Sequence, residues 1–238
     1  MEKLAAKKKF FSTLSLTSPS RHKPLRYAFD DSCSEMGYHE KVGTTRQYRN
    51  PIIPFIRYSA EKDELINLYL IVCIGDSQDG RMVLSDDEEW DVEKLVDLQK
   101  KKYIEEVEEA KKDIGFEYEL EIIYVEGTKN NSHLKLIKDI VSNVEDNDTV
   151  FMDITYGIRT IIISQFLSLT YCYKVRQGTS VGALSYGQKY GSHKPRIYNL
   201  SEFFLFNQTI NNLGDLPTPG PLVDRILLNL IEGDEDDA

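Results

Sequence analysis

The residues best placed to do chemistry lie in TVFMDITYGIRT, Thr149 to Thr160. An apolar run through Val150 and Met152 meets Asp153 and Thr155. Gly157 and Arg159 follow, and then a long apolar segment begins. This order suits a buried strand handing over to a helix whose first turn faces an anion. Asp153 and Thr155 can satisfy the orphan N–H groups of a helix start. Gly157 lets backbone approach closely. Arg159 presents a planar, permanently charged fork suited to phosphate. The plainer alternative is an ordinary N-cap, with Asp153 holding the helix and Arg159 paired to a surface carboxylate. Tyr156 also has two readings: stacking on a nucleobase, worth about 1–3 kcal/mol, or packing on its neighbours.

Two further loops carry suitable groups. The first follows an apolar run ending near Leu16 and holds Ser15, Thr17, Ser18, Ser20, Arg21, His22, Lys23 and Arg26. Hydroxyls and clustered cations fit phosphates and ribose hydroxyls; the alternative is a solvated loop that happens to be basic. The other spans Tyr186 to His193 and offers Tyr186, Gly187, Lys189, Tyr190, Gly191 and His193. It reads equally as a hairpin turn or as a loop bringing Lys189 to a phosphate. Other signals carry less. Glu109-x-Lys111 imitates a fragment of a nuclease metal motif but sits in a charged helical run. The histidines at 22, 39, 133 and 193 have no metal-ligand spacing, and no phosphate-binding Gly-Lys-Ser/Thr loop occurs. No metal and no cofactor are expected.

Four apolar runs are available to position these loops as strands: Phe10 to Leu16, Leu65 to Ile74, Tyr118 to Val125 and Val150 to Ile154. Apolar character on both faces predicts a parallel sheet covered by helices. Trp90 to Ile114 and His133 to Val144 have helical apolar spacing, the second with Asn131-Ser132 as its cap. Ile158 to Tyr173 reads as a buried helix, too short and too interrupted by Ser164, Gln165, Ser168 and Thr170 to span a membrane. Alternating strands and helices give a βαβ architecture with right-handed crossovers. Asp30 to Tyr58 reads as a loop with a short helix or strand, and Asp76 to Gly80 as a turn. Pro217, Pro219 and Pro221 mark the end of a first domain, residues 1–216. Residues 217–238 then read as a Pro-rich linker, a short amphipathic helix over Leu222 to Ile231 and an acidic tail.

Composition narrows the partners. The formal net charge of −10 over 238 residues argues against duplex or long single-strand nucleic acid, which calls for a basic surface. A small anion needs only a local positive site. Three cysteines (Cys33, Cys73, Cys172) without paired spacing fit a reducing cytoplasm. Cys73 and Cys172 lie in apolar runs and are expected to act as small buried hydrophobes. The basic start MEKLAAKKKFF lacks the apolar core of a secretory signal.

DITYGIR resembles the strand-to-helix signature Asp-x-Thr-(His/aromatic)-Gly-(aromatic/aliphatic)-Arg of the CARF family, the CRISPR-associated Rossmann-fold domains. The likeness extends to VGALSYG (Val181 to Gly187) and RIYNLSEFFLFNQTINNL (Arg196 to Leu213), which follow in the family's order. It covers most of residues 8 to 213. Tyr156 stands where relatives commonly have histidine, so no imidazole role carries over there. The resemblance implies an α/β fold, Rossmann-like and mostly parallel, with helices on both faces and a short C-terminal helical extension. It also implies a ligand: cyclic oligoadenylate, a ring of 3′-5′-linked adenosines made by type III CRISPR complexes on sensing foreign RNA, with cyclic tetra-adenylate the favoured size. A homodimer would share the ring across its two-fold axis. The ligand-facing positions are then Ser15, Thr17, Ser18, Arg21, His22, Asp153, Thr155, Tyr156, Gly157, Ile158, Arg159, Tyr186 and Lys189. Two function classes remain open. One is a sensor read out by the C-terminal segment or a separately encoded effector, since no Arg-x4–6-His ribonuclease motif is present. The other is a metal-independent ring nuclease using 2′-hydroxyl attack, with Arg21, Lys23 and Arg159 stabilising charge.

Overall fold

Phe10, Leu68, Phe151 and Ala183 all belong to one buried cluster, and they come from four different strands. In the computed structural model, residues 6–16, 27–29, 48–74, 81–83, 89–126, 131–188, 194–213 and 220–232 are described. Strands β1 (Lys8–Thr13), β2 (Ala28–Phe29) and β3 (Leu65–Ile74), with helix α1 (Ile53–Ser59), form the first part. A two-stranded hairpin, β4 (Arg81–Val83) with β5 (Glu89–Asp91), precedes helix α2 (Val92–Ile114). Then come β6 (Glu117–Glu126), α3 (Ser132–Ser142), β7 (Thr149–Asp153), α4 (Arg159–Val175), β8 (Ser180–Gln188) and β9 (Arg196–Asn199). Helices α5 (Ser201–Leu213) and α6 (Gly220–Glu232) close the chain.

The main sheet has the order β2-β9-β8-β7-β1-β3-β6. β8, β7, β1, β3 and β6 are mutually parallel, and β9 runs against β8. The fold is therefore α/β and Rossmann-like, as the alternation of runs predicts. Helices α1 and α2 pack together, and so do α3 and α4. The first pair shares a core with Phe10, Leu68, Leu70 and Phe151. Residues one position along, Phe11, Tyr69, Ile71 and Met152, are buried too and point to the other face, where α3 meets β6 and α4 meets β7 and β8.

Several expectations are adjusted. β1 begins at Lys8 rather than Phe10, because Lys9 is buried and pairs with Asp148 at 3.8 Å. It also ends earlier, at Thr13. β6 is not apolar on both faces: it is the edge strand, and Glu117, Glu119, Glu121 and Glu126 are exposed along it. Trp90 lies in β5, and α2 starts after Asp91, whose side chain accepts the Lys94 N–H. Asn131 does occupy the cap position of α3, in a left-handed conformation, but its side chain makes no capping bond. The turn Asp76 to Gly80 lies outside the described residues. Residues 1–200 and 201–238 form two compact units, whereas the prolines suggest a break after 216. The second unit contains α5 and α6. No helix among the described residues is long and apolar enough to cross a membrane.

Candidate ligand site at the strand-order switch

After β1 and the short β2, which lies at the far edge beside β9, the chain adds β3 and β6 on one flank of β1, then returns to place β7 on the other. That reversal is the position where open parallel sheets leave a crevice beyond the carboxyl ends of their strands. β1, β7 and β8 are parallel neighbours, with Ser12 beside Asp153 and Asp153 beside Ser185. The chain therefore leaves all three strands at the same end of the sheet. Those exits are the three loops that the sequence singles out.

Asp153 is the centre of this end. It has no exposed surface. The Ser12 hydroxyl donates to its Oδ2 at 3.2 Å, and the Ser185 hydroxyl to its Oδ1 at 3.3 Å. The Thr155 N–H donates to Oδ1 at 3.1 Å, and the Thr155 hydroxyl makes a short bond to the same oxygen. Burial pushes the Asp153 carboxyl up from 3.8 to about 6, while these four bonds pull it back down. Four donors match the roughly four acceptor directions of an ionised carboxylate. The Thr155 hydroxyl in turn accepts the Gly187 N–H of β8 at 2.7 Å. On the other side of the sheet, Gln165 of α4 donates to the Asp153 carbonyl at 3.1 Å and accepts the Thr13 hydroxyl at 3.3 Å.

Asp153 and Thr155 are thus spent on the strand ends, not on the helix start. The N-cap position of α4 belongs to Ile158, which makes no side-chain capping bond. An N-cap by Asp153 is corrected accordingly: the carboxylate lies five residues upstream and is turned into the sheet. Gly157, Ile158, Arg159 and Thr160 are all exposed, and the positive end of the helix dipole lies at this turn. Gly157 has φ +105°, a conformation that favours glycine, and a Cβ there would lie a tight 3.2 Å from Thr13 Cγ2. Among the described residues no carboxylate lies within ion-pair distance of Arg159.

Tyr156 turns inward. Its ring packs against the main core, and its hydroxyl lies 3.3 Å from the Tyr27 hydroxyl and 3.1 Å from the Arg49 carbonyl oxygen. Burial raises its pKa far above the ordinary tyrosine value and also raises that of Tyr27. Arg49 and Asn50 are braced by Glu106 of α2, whose carboxylate accepts both backbone N–H groups, at 2.8 and 3.1 Å, and the Asn50 amide at 2.7 Å. Burial raises the Glu106 carboxyl.

Ser15 is half-buried just beyond β1, and Tyr186 is half-buried on β8 opposite Tyr198. Thr17, Ser18, Ser20, Arg21, His22, Lys23, Arg26, Lys189, Tyr190, Gly191 and His193 lie outside the described residues. Both ends of the first loop are nonetheless placed. It departs after β1, and the chain is described again at Tyr27, beside Tyr156. A Cβ on Gly187 would come within 2.9 Å of Tyr27 Cε1, 2.7 Å of Pro51 Cγ and 3.1 Å of Thr155 Cγ2. The first and third loops therefore start or end against the turn at 155–157.

Sequence reasoning missed Ser12, Ser185, Gln165, Tyr27 and Glu106. The signal for the first three was present: each is a polar residue inside an apolar run, and a buried polar group needs a partner. Compared with known proteins, the chain matches no family model and no curated protein.

Proposed function

We propose that this chain is a second-messenger sensor of the CARF type, binding cyclic oligoadenylate at the carboxyl ends of β1, β7 and β8. The observation that carries the reading is the exposed first turn of α4, without a side-chain cap from its own N-cap residue Ile158 and flanked by Gly157 and Arg159, at the switch in strand order. N–H groups at such a helix start suit ring phosphates, and Arg159 adds a bidentate donor. The cations of the first loop, Arg21, Lys23 and Arg26, belong to a loop that leaves from the adjacent strand end. They would meet further phosphates, with Lys189 doing the same from the third loop. Ser15, Thr17 and Ser18 would hold ribose hydroxyls.

A homodimer sharing one ring across a two-fold axis fits a second feature. Ile163, Leu167, Tyr171 and Val175 follow one another at four-residue spacing along α4 and are 58%, 50%, 44% and 55% exposed. A ridge of this kind, on a helix without any acidic residue, is the sort of surface that a chain of net charge −10 would turn towards a second copy of itself. The change on ring binding would pass to the C-terminal helices or to a separately encoded effector in the cytoplasm.

The test is incubation of the protein with cyclic tri-, tetra- and hexa-adenylate in EDTA, followed by analysis of both retention and products. Tight retention of an intact ring supports the sensor. Linear adenylates ending in a 2′,3′-cyclic phosphate, formed over many turnovers, would make the chain a metal-independent ring nuclease instead. Absence of binding to any ring overturns both.

A further inference from the structure

The notable thing about Asp153 is how completely it faces inward. A carboxylate with no exposed surface cannot touch a ligand from where it sits, yet it occupies the middle of the strand ends that carry the loops. Its two oxygens collect one donor from β1, one from β8 and two from Thr155 in the turn that follows β7. The Thr155 hydroxyl has a single proton, and Asp153 takes it. Its lone pairs then face the Gly187 N–H. Thr155 thus works in one direction only, as donor to the carboxylate and acceptor from β8. Gly187 in turn admits Tyr27, Pro51 and Thr155 to close approach, so any shift of Thr155 is felt at both neighbouring loops.

We propose that Asp153 is a positioning residue: its ionised carboxylate, acting through Thr155, ties the ends of β1 and β8 to the turn that presents Gly157 and Arg159, so that the three loops leave the sheet as one unit. The consequence for ring binding rests on the reading given above; the tie itself does not. Charge-assisted hydrogen bonds are about twice as strong as neutral ones, so the ionised form holds the turn more firmly than a protonated one. The titratable groups around the carboxylate are Tyr27, Tyr103 of α2 and Tyr156, each with its pKa raised. Glu106 of α2 faces the latter two. β1 and β8 contribute serines and α4 contributes Gln165, so among the described residues no cation pairs with Asp153.

The experiment is a pH titration of backbone amide resonances on the whole, ligand-free chain. The Thr155 and Gly187 amides should move together with one midpoint, well above the ordinary carboxylate range. Ser185→Ala removes one of the bonds that favour the ionised form, so both midpoints should rise together. Asp153→Asn should leave both amides flat. Thr155→Val, which keeps shape but loses the hydroxyl, should uncouple Gly187 from the titration, and Thr155→Ser should restore it; this pair decides the matter if the Asn variant does not fold. Amides that titrate separately, or that ignore Ser185→Ala, overturn the tie. Cyclic tetra-adenylate then reports on the site. Ser185 is wholly buried in β8 and its hydroxyl donates to Asp153, so weakening of the ring by roughly tenfold in Ser185→Ala, the order of one charge-assisted bond, supports positioning. Unchanged affinity beside coupled amides overturns it. If wild-type protein binds no ring, the ligand reading fails while the amide titration still judges the tie.

Discussion

Helices α2 and α4 are sorted by opposite rules. α2 buries Val92, Leu95, Val96, Tyr103, Val107 and Ala110 and leaves most of its lysines and glutamates towards solvent, Glu106 being the one turned in to Arg49 and Asn50. α4 buries Ser164, Gln165 and Ser168 alongside Ile161, Leu169 and Cys172, and exposes Ile163, Leu167, Tyr171 and Val175. The inward serines satisfy themselves by bonding back four residues, Ser164 to the Thr160 carbonyl at 2.9 Å and Ser168 to the Ser164 carbonyl at 2.7 Å. Gln165 reaches the Asp153 carbonyl and Thr13. α2 is therefore held chiefly by its apolar face, with Glu106 adding a polar brace to Arg49 and Asn50. α4 is held partly by a polar anchor beneath the candidate site, and its apolar ridge is left for something else. Polar residues that look like interruptions of a buried helix are its attachment points.

The largest test of this contrast lies in α2. Tyr103→Ala should cost about 3–5 kcal/mol of stability by denaturant unfolding, since the ring is wholly buried. A loss below about 1 kcal/mol would show that α2 is not held by its core face.

Asp153→Asn comes next, and its effect depends on pH. Burial lifts the folded carboxyl to about 6 from 3.8. The stability linked to this group is therefore full below about pH 4 and is lost as pH rises through about 6. Between those limits the wild type should lose about 3 kcal/mol relative to the Asn variant, read from unfolding curves across the range. A difference that stays constant with pH would mean that the carboxyl titrates normally.

On α4 itself, Gln165→Leu adds an apolar side chain yet should destabilise by about 1–3 kcal/mol, because the Asp153 carbonyl and Thr13 hydroxyl lose a partner in a buried setting. A more stable variant would erase the polar-anchor half of the comparison. The smallest effect belongs to the ridge: Leu167→Gln should change the stability of the folded subunit by no more than about 0.5 kcal/mol. Sedimentation should show it shifting a dimer towards monomer, and a variant as dimeric as wild type removes the ridge from any seam.

Legibility followed the same division. Where apolar periodicity and burial coincide, as in β3 and most of α2, the sequence leads directly to the element. β3 runs from Leu65 to Ile74, the span of its apolar run. Where strands are short, pattern has too little to work on: β2, β4 and β5 have two or three residues each. β9 is legible only through the resemblance, which orders a tyrosine strand after the Gly-Ala strand. At the site, the DITYGIR turn announces its glycine and arginine. The inward orientation of Asp153 and Tyr156 was hidden because their partners, Ser12, Ser185 and Tyr27, come from strands and loops more than 30 residues away in the sequence. The switch in strand order is a property of topology, and no local pattern encodes it.

The central claim is that the open first turn of α4 grips a cyclic oligoadenylate phosphate. Equilibrium binding of cyclic tetra-adenylate to wild type and Arg159→Ala tests it most directly, with thermal unfolding alongside. The expected result is tight binding by wild type, a loss of about 1.5–3 kcal/mol in the variant, the value of a charged hydrogen bond, and unchanged unfolding. Equal affinity in a folded Arg159→Ala protein would contradict it.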